Sequence, residues 1–119
     1  MANKAKAKGT AFETAIVNYL NEPKHPLGQG SARRLPPHGS IDKGDVEYVV
    51  GSDCFIVTLQ AKAQKAFDLA GWVDAAKEQS VAADSMWGVA VVKRPKKNIK
   101  DAYVVMDLET FKSMMETLV

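Results

Sequence analysis

Apolar positions recur along the chain with two different periods, and the changes of period divide it into elements. Phe12, Ala15, Ile16, Tyr19 and Leu20 fall three and four residues apart, the stripe of a helix packed on one side. Thr10 stands where an N-cap would, and Glu13 follows it by three, the spacing of a capping box. Glu13 also lies in register with Ile16, Val17 and Leu20 at the border of the apolar face, so the same carboxylate can reach inward. Cap, ligand and both remain open readings for it. The first nine residues are small, polar and lysine-rich and read as a flexible start. Residues 22–44 hold four prolines and four glycines with scattered apolar positions, and read as one long loop of the kind that carries function.

From 45 to 62 the period shortens to two. A two-residue turn at Gly51 and Ser52 would pair Val50 with Asp53, Tyr48 with Phe55, Val46 with Val57 and Asp45 with Thr58. Val46, Tyr48, Phe55, Val57 and Leu59 then share an apolar face, and Asp45, Glu47, Thr58, Gln60 and Lys62 share the other. A three-residue turn would send Asp45 to the opposite face.

A second helical stripe at 68–83 joins Leu69, Trp72, Val73, Ala76 and Ser80. The continuous apolar run 87–92 predicts a strand buried on both faces, and 102–106 a further strand after a basic loop at 93–100. A last helix starts at Asp107 as N-cap, with Leu108, Phe111, Met114, Met115 and Leu118 on its apolar side. The order is α-β-β-α-β-β-α. It predicts a single α/β domain over 1–119, a mixed sheet of about four strands flanked by helices.

Composition adds bounds to this picture. With 119 residues, 46% hydrophobic and 25% charged, the chain suits one globular domain with a core of its own. No stretch reaches transmembrane length, the lysine-rich start lacks the apolar run of a secretory signal, and Cys54 has no partner for an internal disulfide. A reducing, cytoplasmic home is expected. A net charge of +2 is too mild to mark a nucleic-acid binder by itself. Its distribution says more. Lys4, Lys6 and Lys8 cluster at the start, Arg33 and Arg34 in the loop, and Lys93, Arg94, Lys96, Lys97 and Lys100 in one short segment. Such clusters are either solvated surface or phosphate contacts. His25 and His38 have no partner at metal-ligand spacing.

The chemistry concentrates in the hairpin. Mg²⁺ prefers oxygen ligands and is commonly held by one or two carboxylates with substrate phosphate. Asp45 is a natural first ligand, the Gln60 amide oxygen a second and the Ala61 carbonyl a third. Lys62, two residues beyond Gln60 on the same face, can orient an attacking water or offset charge on phosphate.

Glu13 on the first helix, Gly44-Asp45 entering a strand and Gln60-Ala61-Lys62 on the next resemble the PD-(D/E)xK nuclease superfamily. Within it the chain is most similar to archaeal-type Holliday junction resolvases and their phage-encoded relatives. The likeness is carried by KGTAFE at 8–13, ARRLPPHGS at 32–40, KGDV at 43–46 and LQAK at 59–62. It implies a restriction-endonuclease-like domain in which Glu13, Asp45 and Gln60 hold Mg²⁺, or Mn²⁺ in its place, Lys62 acts beside them and Ser40 assists. It also implies DNA contacts from Lys8, Arg33, Arg34, Lys93, Arg94, Lys96, Lys97 and Lys100, a four-way junction as substrate, and a homodimer that makes two symmetric cuts. The last helix or a sheet edge can serve as the dimer surface, or Met114 and Met115 can simply pack the core. The family usually has glutamate where this chain has Gln60; an amide offers an oxygen without charge, so metal affinity should be weaker. Three other readings stand beside it: a nuclease of ends, nicks or flaps, a DNA-binding module whose chemistry has decayed, and an α/β domain whose polar hairpin face is only solvated.

Overall fold

The stripes and alternations resolve into one five-stranded sheet with helices on its faces. This computed structural model describes residues 4–22, 30–36, 43–51, 55–63 and 66–117, with side chains from residue 9 onward. Strands β1 (Gly30–Arg34), β2 (Val46–Val50), β3 (Phe55–Lys62), β4 (Trp87–Val92) and β5 (Tyr103–Val105) lie side by side in chain order. Neighbours are antiparallel except β3 and β4, which run parallel and are joined through helix α2 (Leu69–Ala82). The sheet is mixed as expected, with five strands in place of about four, and the order is α-β-β-β-α-β-β-α.

The added strand is β1, inside the segment that reads as loop. Its sequence, GSARR, buries only Ala32, so it carries almost no apolar alternation. Its backbone is held instead. On one side it pairs with β2, Ala32 opposite Tyr48; on the other, the Asn21 side chain just beyond helix α1 (Lys4–Leu20) both donates to the Ala32 carbonyl at 2.9 Å and accepts from the Ala32 amide at 2.7 Å. One amide side chain thus acts as a short stand-in for a neighbouring strand at the sheet edge. Gly30 lets the chain pass over the Tyr48 ring, which a Cβ would strike.

Helix α1 begins at Lys4, ahead of Thr10, so the capping box is corrected: Thr10 and Glu13 lie inside the helix, and of the start expected to be flexible residues 1–3 lie outside the described residues. Alternating alanine and lysine over 4–8 are good helix formers, which explains the extension. Phe12 and Ile16 of α1 pack with Ala32, Val46, Val57, Leu59, Trp87, Val89 and Val91, one parity of the sheet. On the opposite face α2 lays Trp72 against Ala90 and Val92. Asp68 caps α2, accepting from the Gly71 amide at 3.1 Å. All six residues of β4 are buried, as its apolar run predicts.

The hairpin register also differs. Val50 pairs with Phe55, Tyr48 with Val57, Glu47 with Thr58 and Val46 with Leu59, so four residues, 51–54, connect the strands. The slip from the two-residue turn is an even one. Each side chain therefore keeps its face, and Asp45 moves from Thr58 to the level of Gln60 and Ala61.

Helix α3 (Leu108–Thr117) is capped by Asp107, whose carboxylate accepts from the Thr110 amide at 2.9 Å. Lys77 of α2 reaches the same carboxylate at 2.6 Å, and with Thr110 holds it well below the usual carboxylate range. The apolar side assigned to this helix is not its packed side. Thr110 is the buried residue, Ser113 accepts from the Trp87 indole at 2.9 Å and Met114 reaches the core, whereas Leu108, Phe111 and Met115 are exposed; Leu118 lies outside the described residues. The packed side is the one that carries Thr110, Ser113 and Met114, and the Lys77 ion pair lies at the helix start. Among the described residues no helix is long and apolar enough to cross a membrane.

Helix α2 crosses β4 at Gly88, where a Cβ would collide with the Ala76 backbone carbonyl. Gly88→Ala is expected to destabilise the fold by about 1–3 kcal/mol, since a backbone group cannot step aside as a side chain does. Urea denaturation measures this, and an unchanged midpoint would contradict the close approach.

Candidate functional site

The strand registers bring the chemistry to one end of the sheet. Arg34 pairs with Val46, Val46 with Leu59 and Lys62 with Val92, so the end of β1, the start of β2 and the ends of β3 and β4 stand together. Ligands of α/β sheets commonly sit beyond the carboxyl ends of parallel strands, and β3 and β4 both end here.

Gly44 makes the entry to β2 possible. Its φ of +93° is closed to most side chains, and a Cβ there would run into the Thr58 methyl. The turn delivers Asp45, whose amide donates to the Leu59 carbonyl at 3.0 Å and whose carboxylate accepts from the Ala61 amide at 2.8 Å. Asp45 is therefore tied at both levels to the strand carrying Gln60 and Lys62.

Gln60 points to the α2 face and is only 7% exposed, yet its side-chain oxygen has no hydrogen-bond partner among the described residues. Leaving such an atom buried costs about 1–3 kcal/mol, so its retention calls for a reason. Lys62 follows on the same face, half-buried and level with Val92 at the end of β4. Gln79 of α2 is buried and comes against Gly44 from the helix side, a neighbour that sequence spacing gave no sign of.

Glu13 comes from the other face. It sits on α1 above β1, with the Arg34 guanidinium donating to its carboxylate at 3.3 Å. Partial burial and the nearby Asp45 carboxylate push the Glu13 carboxyl above its ordinary value of 4.5, and the charge and hydrogen bond of Arg34 offset only part of this. Adjacent Arg33 points to the opposite face and pairs with Glu47 at 3.1 Å. The two arginines that read as one loop cluster are strand residues with separate carboxylate partners; two-residue alternation would have revealed this had β1 been recognised.

The basic segment after β4 lies beside α1. Lys93, Arg94, Lys97 and Asn98 border a cavity of about 180 Å³ whose far wall is Phe12 and Ala15. Arg94 stacks over the Tyr103 ring at 4.8 Å, which fixes the start of the segment to β5. Lys96, Lys97 and Lys100 are exposed. Ser40, His25, His38 and Cys54, and the Lys8 side chain, lie outside the described residues.

Among the described residues no three His, Cys, Asp or Glu side chains stand close enough to hold a metal ion. Two carboxylates, Glu13 and Asp45, are near enough to repel, and the third predicted ligand is an amide. This donor set fits a small hard cation in kind, all oxygen, with one oxygen buried and unpartnered. No protein-family model, curated protein or solved structure matches the chain.

The raised Glu13 pKa has a consequence for stability. The folded state binds this proton more tightly than the unfolded chain, so the contribution of Glu13 is fully present below the unfolded pKa and is lost as pH rises through the folded one. Glu13→Gln should therefore be more stable than the parent at pH 7, with the gain vanishing in acid; urea melts at both pH values test this, and a loss at neutral pH would show that the Arg34 pair outweighs burial.

Proposed function

We propose that the chain is a divalent-cation-dependent, structure-specific DNA endonuclease of the PD-(D/E)xK type, acting on four-way junctions. One observation carries the reading: Asp45, the buried Gln60 amide and Lys62 share one end of the sheet, and Glu13 comes close to Asp45 from α1. Phosphodiester hydrolysis at neutral pH calls for such a set of oxygen ligands with a cation beside it.

Asp45, Glu13 and the Gln60 oxygen would hold the ion, and Ser40 would assist. Bound Mg²⁺, or Mn²⁺ in its place, supplies Lewis acidity toward a phosphoryl oxygen and acidifies a water. The Lys62 ammonium orients the attacking water and offsets negative charge that grows on the phosphate. Arg33, Arg34 and the basic segment from Lys93 to Lys100 supply phosphate contacts that are independent of base sequence and fall off with salt. Symmetric incision of a junction fits a two-fold dimer.

The test incubates the protein with a four-way junction and with linear duplex of the same sequences, in Mg²⁺ and in chelator. Paired cuts in the junction alone support the reading. Cutting of linear ends, nicks or flaps would move the substrate within the same chemistry, and binding without cutting in Mg²⁺ and Mn²⁺ would replace the enzyme by a DNA-binding module.

Asp45→Asn and Lys62→Ala should each lower cleavage by about 10²-fold or more while junction binding persists. Full activity in either variant would remove the site assignment. Gln60→Glu adds the missing charge and should lower the Mg²⁺ concentration needed for half-maximal cleavage; an unchanged requirement would count against Gln60 as a ligand.

A further inference from the structure

Arg34 is placed differently from the other basic residues. The exposed lysines of the segment after β4 face solvent, and Arg33 pairs with Glu47 on the α2 face. Arg34 alone among the described arginines reaches a carboxylate of the candidate metal site, Glu13, and does so from the strand position next to Val46, one residue from Asp45. Arg34 and Glu13 therefore meet on the α1 side of the site, and the Asp45 carboxylate, on the side of Gln60 and Lys62, is near enough to repel Glu13. The Arg34 side chain is 44% exposed and the Glu13 side chain 20%, so the pair sits at the mouth, with the acid the more buried of the two.

On the proposed reading of the site, we infer that Arg34 couples cation binding to phosphate binding. Without a divalent ion, the guanidinium is the counter-charge that lets Glu13 stand near Asp45. A divalent ion held by these carboxylates takes over that neutralisation and competes with Arg34 for the Glu13 oxygens. The guanidinium is then released at the mouth with its donors unpaired, in the planar fork geometry that suits a phosphate. Ion and DNA backbone should each strengthen the binding of the other by the same factor, since linkage is reciprocal. A fixed cation that merely added phosphate affinity would give no such factor.

Three variants separate the possibilities: Arg34→Gln, Arg34→Lys and Arg33→Gln. Mn²⁺ binding is followed by its paramagnetic resonance signal in the absence of DNA. The affinity for a labelled four-way junction is measured with and without Mn²⁺ at constant ionic strength, in a Lys62→Ala background that prevents cutting. Arg34→Gln should tighten Mn²⁺ about fivefold or more, within the usual range of coupling between sites, because a competing cation is gone. It should also reduce the gain in junction affinity that Mn²⁺ gives the parent to the part that direct contact of the ion with phosphate supplies. Arg34→Lys keeps the charge and should retain Mn²⁺ affinity close to that of the parent. Arg33→Gln should weaken junction binding and leave Mn²⁺ affinity alone. If Asp45→Asn removes Mn²⁺ binding while Arg34→Gln leaves it unchanged or weaker, the coupling is wrong and the metal site stands. If the parent binds no Mn²⁺ that Asp45→Asn can remove, the metal site and the coupling fall together.

Discussion

The Ala61 amide donates to the Asp45 carboxylate at the open end of the β2–β3 pair, and much else is arranged by that bond. It ties the start of one strand to the end of the next, where a ladder would otherwise fray. With Val46 opposite Leu59, Val46 and Tyr48 of β2 are committed to the core under α1 and Glu47 to the opposite face. The parallel partner β4 is then aligned on β3, Lys62 against Val92, and the two strand ends and their following segments leave from one place. Gly44 is the condition for this arrangement, since no side chain fits between its backbone and Thr58.

The two faces of the sheet are built from different materials. Under α1 the contacts are aliphatic and aromatic, including the tilted Phe55–Trp87 pair at 6.0 Å. Under α2 the buried set includes Thr58, Gln60, Gln79 and Ser80, with Thr58 and Ser85 sharing a hydroxyl hydrogen bond of 2.6 Å. An apolar face needs only volume and shape, whereas a polar one must satisfy each atom in turn. The Gln60 oxygen departs from that rule beside the end of the sheet where charges gather, and stability alone gives no reason to keep it.

Charge at this end is balanced rather than simply basic. Burial and the nearby Asp45 carboxylate raise the cost of ionising Glu13, and Arg34 relieves part of it. Arg33 and Glu47 repeat the pairing on the far face. Exposed pairs of this kind contribute little to folding, about 0–1 kcal/mol, so their value here lies in where they hold charge. A further cluster of basic residues lies on the segment after β4, anchored by Arg94 on Tyr103.

By itself the sequence determined the elements with strong periods: the stripe of α1, the alternation of β2 and β3, the apolar run of β4 and the Asp107 cap. These follow from local rules, so local reading suffices. It also placed Asp45, Gln60 and Lys62 on a common side of the hairpin, which survived a wrong turn length because an even slip preserves side-chain parity. Only the tertiary structure decided the rest. Strand β1 has one buried side chain and exists through pairing with β2 and the amide of Asn21, neither of which is local. The rotation of α3 buries Thr110 and brings Ser113 to the Trp87 indole of β4, leaving Leu108, Phe111 and Met115 outward. The role of Glu13 changed with the start of its helix: it has no part in a cap, and its environment is set by Arg34 and Asp45, residues that the fold alone brings to it.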